Sequence, residues 1–153
     1  MALIKIQEPG QAEEKSQMAE TIVGIDLGTT NSLVGIVVDG RVKILADQEG
    51  KDIIPSIVEY DNEVISSVKR LMGKGRDVFV TVGDKKIRPE EVSAEILKKL
   101  TKVAQDRLNT EIKKAVITVP AYFDEAGKNA TKLAAQLAGL EVVRLVNEPT
   151  AAA

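Results

Sequence analysis

From Thr21 onward the chain alternates between short apolar runs and polar punctuation, whereas residues 1–20 are polar and show no sustained period. The leader 1–20 is therefore expected to be flexible, and the folded unit to span 21–153. Residues 21–27 and 33–38 predict two strands, and Asp39-Gly40 predicts a two-residue hairpin into a third strand, 41–46. Another short strand is expected near 53–59, with Pro55 at its start or at a sheet edge. Residues 61–75 give no consistent period, and 78–82 alternates like an edge strand closed by Gly83-Asp84.

The second half reads as strands and helices in turn. A long helix is predicted from Pro89, where proline is harmless at the first helical position, and Glu90 and Glu91 suit its positive end. Val92, Ile96, Leu100, Val103 and Ala104 recur at three and four residues and predict one buried face, with the lysines of 98–102 on the wet side. Residues 115–119 form a continuous apolar strand stopped by Pro120. Asp124 predicts the cap of a second helix, with Ala126, Ala130, Leu133, Ala134 and Leu137 expected to face inward. Gly139 ends that helix, and 141–146 returns as a strand. Hairpins followed by a βαβ unit predict an α/β fold, with a mixed β-sheet and helices packed on it.

Composition narrows the chemistry. At 153 residues the chain is one domain or a large part of one. Aromatic residues make up only 3% against 44% hydrophobic, so the core is built from Val, Ile, Leu and Ala. A net charge of −2, with basic residues not interleaved with aromatics, gives no expectation of nucleic acid as a partner. No run approaches the roughly 18 apolar residues of a membrane span. The leader carries Glu8, Glu13 and Glu14 without a basic or apolar signal region, so no membrane partner and a cytoplasmic location are expected. The absence of cysteine and histidine excludes disulfides, thiolate catalysis and Cys- or His-ligated metals and clusters.

The segment Gly24-Ile25-Asp26-Leu27-Gly28-Thr29-Thr30-Asn31-Ser32 concentrates candidate chemistry. A strand delivers Asp26 to its end, and Gly28 is expected to turn the backbone with positive φ. Thr29, Thr30 and Ser32 supply hydroxyls, and the turn supplies N–H groups for an anion. Asp26 would repel a phosphate but suits a hydrated Mg²⁺ that bridges to one. The pattern is neither a P-loop nor the Rossmann glycine fingerprint. On these residues alone, a plain glycine-containing β-hairpin turn is an equal reading.

Further segments carry a resemblance. Ile54-Pro55-Ser56, Val68-Lys69-Arg70-Leu71-Met72-Gly73, Val116-Ile117-Thr118-Val119-Pro120-Ala121-Tyr122-Phe123 and Asn147-Glu148-Pro149-Thr150-Ala151-Ala152-Ala153 follow the first motif in order. Together they resemble the DnaK-type heat-shock chaperone family. The leader Met1-Ala2-Leu3-Ile4-Lys5-Ile6-Gln7-Glu8-Pro9-Gly10 and the wording of 66–73 are similar to its HscA-type branch, which serves iron–sulfur cluster assembly. The resemblance implies an actin-like ATPase (ribonuclease H-like) half-domain, here part of the N-terminal lobe of a nucleotide-binding domain. It implies ATP/ADP and Mg²⁺ as cofactors, and a J-domain co-chaperone and an iron–sulfur scaffold protein as partners.

By the same resemblance Asp26 lies near the metal through water, and Gly28, Thr29, Thr30 and Asn31 contact the nucleotide phosphates. Lys69 stands by the γ-phosphate and attacking water, where a cation stabilises developing charge. Without that resemblance Lys69 reads as a solvated helix lysine. Glu148 is implied near the metal water, and it also reads as a first-turn helix residue after an Asn147 cap. Pro120 is implied as a switch relaying nucleotide state, or simply ends its strand. Tyr122-Phe123 reads as a hydrophobic anchor.

The sequence also departs from the family pattern. Gly127-Lys128 stands where the family has Gln-Arg, and lysine lacks the planar guanidinium fork. Between Val58 and Ser66, and again between Gly73 and Arg88, the chain is shorter than the family. The second phosphate hairpin, the adenosine lobe and the peptide-binding domain do not follow. The expectation is thus an ATP-dependent chaperone in truncated form, the alternative a non-enzymatic fragment or docking remnant. A small-molecule kinase of the same superfamily is disfavoured because no sugar-binding segment is visible.

Overall fold

The computed structural model describes residues 21–148. The leader expected over 1–20 and the residues after Glu148 lie outside it. The element order is β1 (Ile22–Leu27), β2 (Asn31–Val38), β3 (Arg41–Ile44), β4 (Ile54–Pro55), β5 (Ile57–Tyr60), β6 (Glu63–Ser66), a 3₁₀ turn (Val68–Leu71), β7 (Val80–Val82), β8 (Lys85–Ile87), α1 (Pro89–Leu108), β9 (Lys114–Val119), α2 (Glu125–Leu137) and β10 (Glu141–Asn147).

The main sheet runs β10-β9-β1-β2-β3, with β4 pairing the start of β2. β1, β9 and β10 are mutually parallel, whereas β2 is antiparallel to β1, β3 and β4. This is a mixed α/β sheet, consistent with the actin-like half-domain that the resemblance implies. Asp39 and Gly40 both take positive φ in the β2–β3 hairpin, as an Asp-Gly turn requires.

One face of the sheet is covered. Val23, Ile25 and Leu27 of β1 and Ala115 and Ile117 of β9 pack into one core with Val92, Ile96, Leu97, Leu100 and Ala104 of α1. Burial of this aliphatic set is the main stabilising term, as expected from a chain nearly free of aromatics. The opposite face shows Ile22, Val37, Val42 and Ile44 to solvent, with Val37 paired to Val42 across β2 and β3.

Three local expectations are corrected. The strand expected over 53–59 is two strands: β4 pairs β2, Ser56 interrupts, and β5 forms a separate hairpin with β6. That hairpin turns through Asp61 and Asn62, both at positive φ, and occupies the region without clear period. In α2 the buried residues are Gly127, Ala130, Thr131, Ala134 and Ala135, while Ala126 is exposed and Leu133 and Leu137 are 45% and 47% exposed. Small side chains let α2 sit close against α1, and the leucines fall on the outer side of that contact. Tyr122 is 72% exposed, so Phe123 alone anchors the turn after β9.

Candidate functional site

Parallel pairing collects the candidate residues at one edge of the sheet. The C-terminal ends of β1, β9 and β10 lie side by side, with Asp26 opposite Thr118 and Val119 opposite Asn147. In open α/β sheets this carboxyl edge is where ligands bind. Asp26, the turn 28–30, Pro120 and Glu148 therefore share an edge because three strands run the same way.

The turn after β1 differs in detail from its sequence reading. Gly28 does not take positive φ; it is required because a Cβ there would stand 2.0 Å from the Asn31 carbonyl oxygen. The Gly28 N–H donates to Ser32 Oγ at 3.2 Å, and Ser32 is 1% exposed. Ser32 thus turns its hydroxyl into the protein and offers none to an anion. Among the described residues, no acceptor meets the N–H of Thr29 or Thr30. Thr29 is half-buried, and Thr30 and Asn31 are exposed at the rim.

Asp26 is half-buried, and its Oδ1 accepts from Thr118 Oγ1 at 2.9 Å. One carboxylate oxygen is fixed, and among the described residues no donor is found for the other. No group of three or more acidic side chains able to cage a metal exists among the described residues. A single oriented carboxylate suits Mg²⁺ that keeps most of its water and takes further oxygens from phosphates. The donor set at this edge fits a magnesium–phosphate ligand.

Lys69 is the largest change from the bland sequence reading. It sits in the 3₁₀ turn after Ser67, which takes φ 55, and is 4% exposed. Its Nζ donates to Glu148 Oε1 at 2.6 Å and lies 6.0 Å from the Phe123 ring centre. A buried ammonium is costly unless paired, and Glu148 supplies the partner. Glu148 itself continues the β10 ladder, donating its N–H to Val119 O at 2.7 Å. It is therefore placed by strand pairing, and Asn147 is the last residue of that strand. Any helix after it lies outside the described residues.

Pro120 is buried where β9 ends, and its carbonyl accepts from the Phe123 N–H at 3.0 Å. Asp124 caps α2 as expected, accepting from Gly127 N at 2.9 Å. Lys128 reaches Glu125 at 3.8 Å. A cavity of about 320 Å³ opens beside Lys69, lined also by Arg70, Met72 and Phe123. A larger hollow of about 490 Å³ between Asp47 and Arg107 touches none of these residues.

Sequence reasoning missed Thr118 and Ser56 as site neighbours. Thr118 was signalled by one hydroxyl inside an apolar strand, Ser56 only by the motif containing it. Neither pairing is legible before the strands are aligned.

Comparison with known proteins bears on this edge. A family model described as "Hsp70 protein" matches residues 22–75 and, in a second overlapping match, 62–153. The chain is 46% identical to a chaperone protein HscA homolog of Polynucleobacter asymbioticus over 192 aligned positions, covering 100% of this chain and 30% of that protein. It is 44% identical to the HscA homolog of Pasteurella multocida, covering 100% and 31%. It is 48% identical to a chaperone protein DnaK of Mycoplasmopsis agalactiae, covering 88% and 25%. The chain thus spans about 30% of the length of the curated relatives it matches. The aligned span exceeds the 153 residues of this chain, so the Polynucleobacter relative carries internal positions without a counterpart here.

Proposed function

This chain belongs to the Hsp70 family and is HscA-like within it, and from that premise we propose that it forms the phosphate side of an ATP-hydrolysing chaperone site. Asp26 holds the magnesium shell through water. The N–H groups and hydroxyls of Thr29 and Thr30 take phosphate oxygens, with Asn31 at the rim and Gly28 keeping the turn tight. Lys69 faces the γ-phosphate and the attacking water, and Glu148 orients Lys69 and the metal water. Bound Mg²⁺ supplies charge neutralisation on the phosphates. Pro120 couples this edge to the turn that carries Phe123.

The observation that supports this reading is the pairing of the buried Lys69 with Glu148 at the same strand edge as Asp26. A lysine serving only solubility has no reason to be buried, and phosphoryl transfer needs a fixed cation. The finer proposal, from the resemblance, is service to iron–sulfur cluster assembly in the cytoplasm. A J-domain co-chaperone and a cluster scaffold protein are then the partners. With no cysteine or histidine in the sequence, the chain acts on a cluster-carrying partner and holds no cluster by such ligands.

Titration of the ¹⁵N-labelled chain with Mg-ATP, followed by NMR, tests the site. These residues hold the phosphates from one side, and few contacts must offset the fixed cost of association, so affinity on the order of millimolar is expected. Shifts should centre on 26–31 and vanish in Asp26→Ala. Shifts located elsewhere, or unchanged in that variant, would overturn the proposal.

A further inference from the structure

Two buried hydroxyls lie behind the turn 28–30. Ser32 and Ser56 are 1% and 2% exposed, and their Oγ atoms are 2.7 Å apart, with either able to donate. Ser32 Oγ also accepts the Gly28 N–H at 3.2 Å. Ser56 in turn donates its own backbone N–H to Thr30 O at 2.8 Å. The Ser56 backbone therefore grips the tip of the turn while its hydroxyl grips the base through Ser32. Ser56 comes from the break between β4 and β5, and β4 pairs Asn31 and Ser32 directly. The turn is thus closed from outside its own hairpin.

We infer that Ser32 and Ser56 form a positioning brace, which spends the Gly28 N–H internally and leaves the Thr29 and Thr30 N–H groups directed at the phosphates. The inference rests on the phosphate-loop reading above and deepens it. Gly28 N–H and Thr30 O are the polar groups that otherwise let the turn rotate, and both are engaged by the brace. Buried polar groups with every partner satisfied hold a loop in one conformation. A preorganised donor pair binds an anion without first ordering the loop. Neither serine touches the ligand in this arrangement; both act through the turn.

Amide hydrogen exchange at Gly28 and titration with magnesium triphosphate, both followed by NMR, test the brace on the full chain. Ser56→Ala and Ser32→Ala are each expected to accelerate Gly28 exchange and weaken triphosphate binding roughly five- to tenfold, the worth of one such hydrogen bond. Ser56→Thr, which keeps the hydroxyl, should restore both. Thr101→Ala removes another buried hydroxyl, bonded to Leu97 O in α1, and should leave Gly28 exchange unchanged. If Ser56→Ala does not fold, Ser32→Ala carries the test. Wild-type exchange at Gly28 in the alanine variants overturns the brace whatever happens to binding. If the unaltered chain shows no triphosphate shifts at 26–31, the phosphate-loop reading fails instead, and exchange alone decides the brace.

Discussion

Gly73 packs against Gly127 so closely that a Cβ on Gly73 would lie 2.4 Å from the Gly127 nitrogen. Gly73 also takes φ +74, which disfavours any other residue there. A Cβ on Gly127 would in turn come 2.9 Å from the Phe123 ring. The departure from the family's Gln-Arg thus lies at a contact between the Lys69 turn and the first turn of α2. Two glycines let these segments meet backbone to backbone.

Gly127→Gln, which restores the family residue, is expected to destabilise the chain. Overpacking costs about 1–3 kcal/mol, against a gain of about 1 kcal/mol from removing a helical glycine. Gly127→Ala should show the same sign with less amplitude. Thermal unfolding checks this: a Tm at or above that of the parent chain would mean that Phe123 and the Gly73 turn yield freely.

The Lys69–Glu148 pair is asymmetric in burial, with side chains 5% and 35% exposed. Glu148→Ala strands a buried ammonium, whereas Lys69→Met leaves a carboxylate that water still reaches. The first change should cost about 1–3 kcal/mol more than the second, measured by urea unfolding. Equal costs would mean that Lys69 regains solvent once unpaired.

Tyr60 gives a pH dependence. Its phenol is raised above 10.0 by partial burial first, then by the carboxylates of Glu95 and Glu91. The folded chain therefore holds this proton more tightly than the unfolded chain does. The resulting stability is complete below pH 10.0 and is lost as pH rises through the folded value. The gap in unfolding free energy between the parent and Tyr60→Phe should stay constant over about pH 7–9 and shift against the parent above that. A constant gap into the alkaline range would remove Tyr60 as the source.

For turnover, the segments without a counterpart here can be restored from the full-length Polynucleobacter asymbioticus HscA homolog to give a chimaera. Lys69→Ala in that chimaera is expected to abolish steady-state hydrolysis with little change in ATP affinity. In the proposed role its cation would act mainly on charge that develops in the transition state. Weakened binding with normal turnover at saturation would contradict the role.

Much of this chain is legible in its sequence because the signals are local. The 3.6-residue period over 89–108, the Asp-Gly turn after β2, the Asp124 cap and the apolar strand ending at Pro120 each depend on a few neighbouring residues, and each forms as read. The motifs around Asp26, Lys69 and Glu148 named the family for the same reason, since they are contiguous. What the tertiary structure decided depends on partners far along the chain. The burial of Lys69 needs a carboxylate 79 residues away, and the inward turn of the Ser32 hydroxyl needs Ser56, 24 residues away. On α2, Ala130 and Ala134 face inward as expected, whereas Ala126, Leu133 and Leu137 do not. Close packing against α1 selects small residues there, and how closely two helices approach is not written in the period of either one.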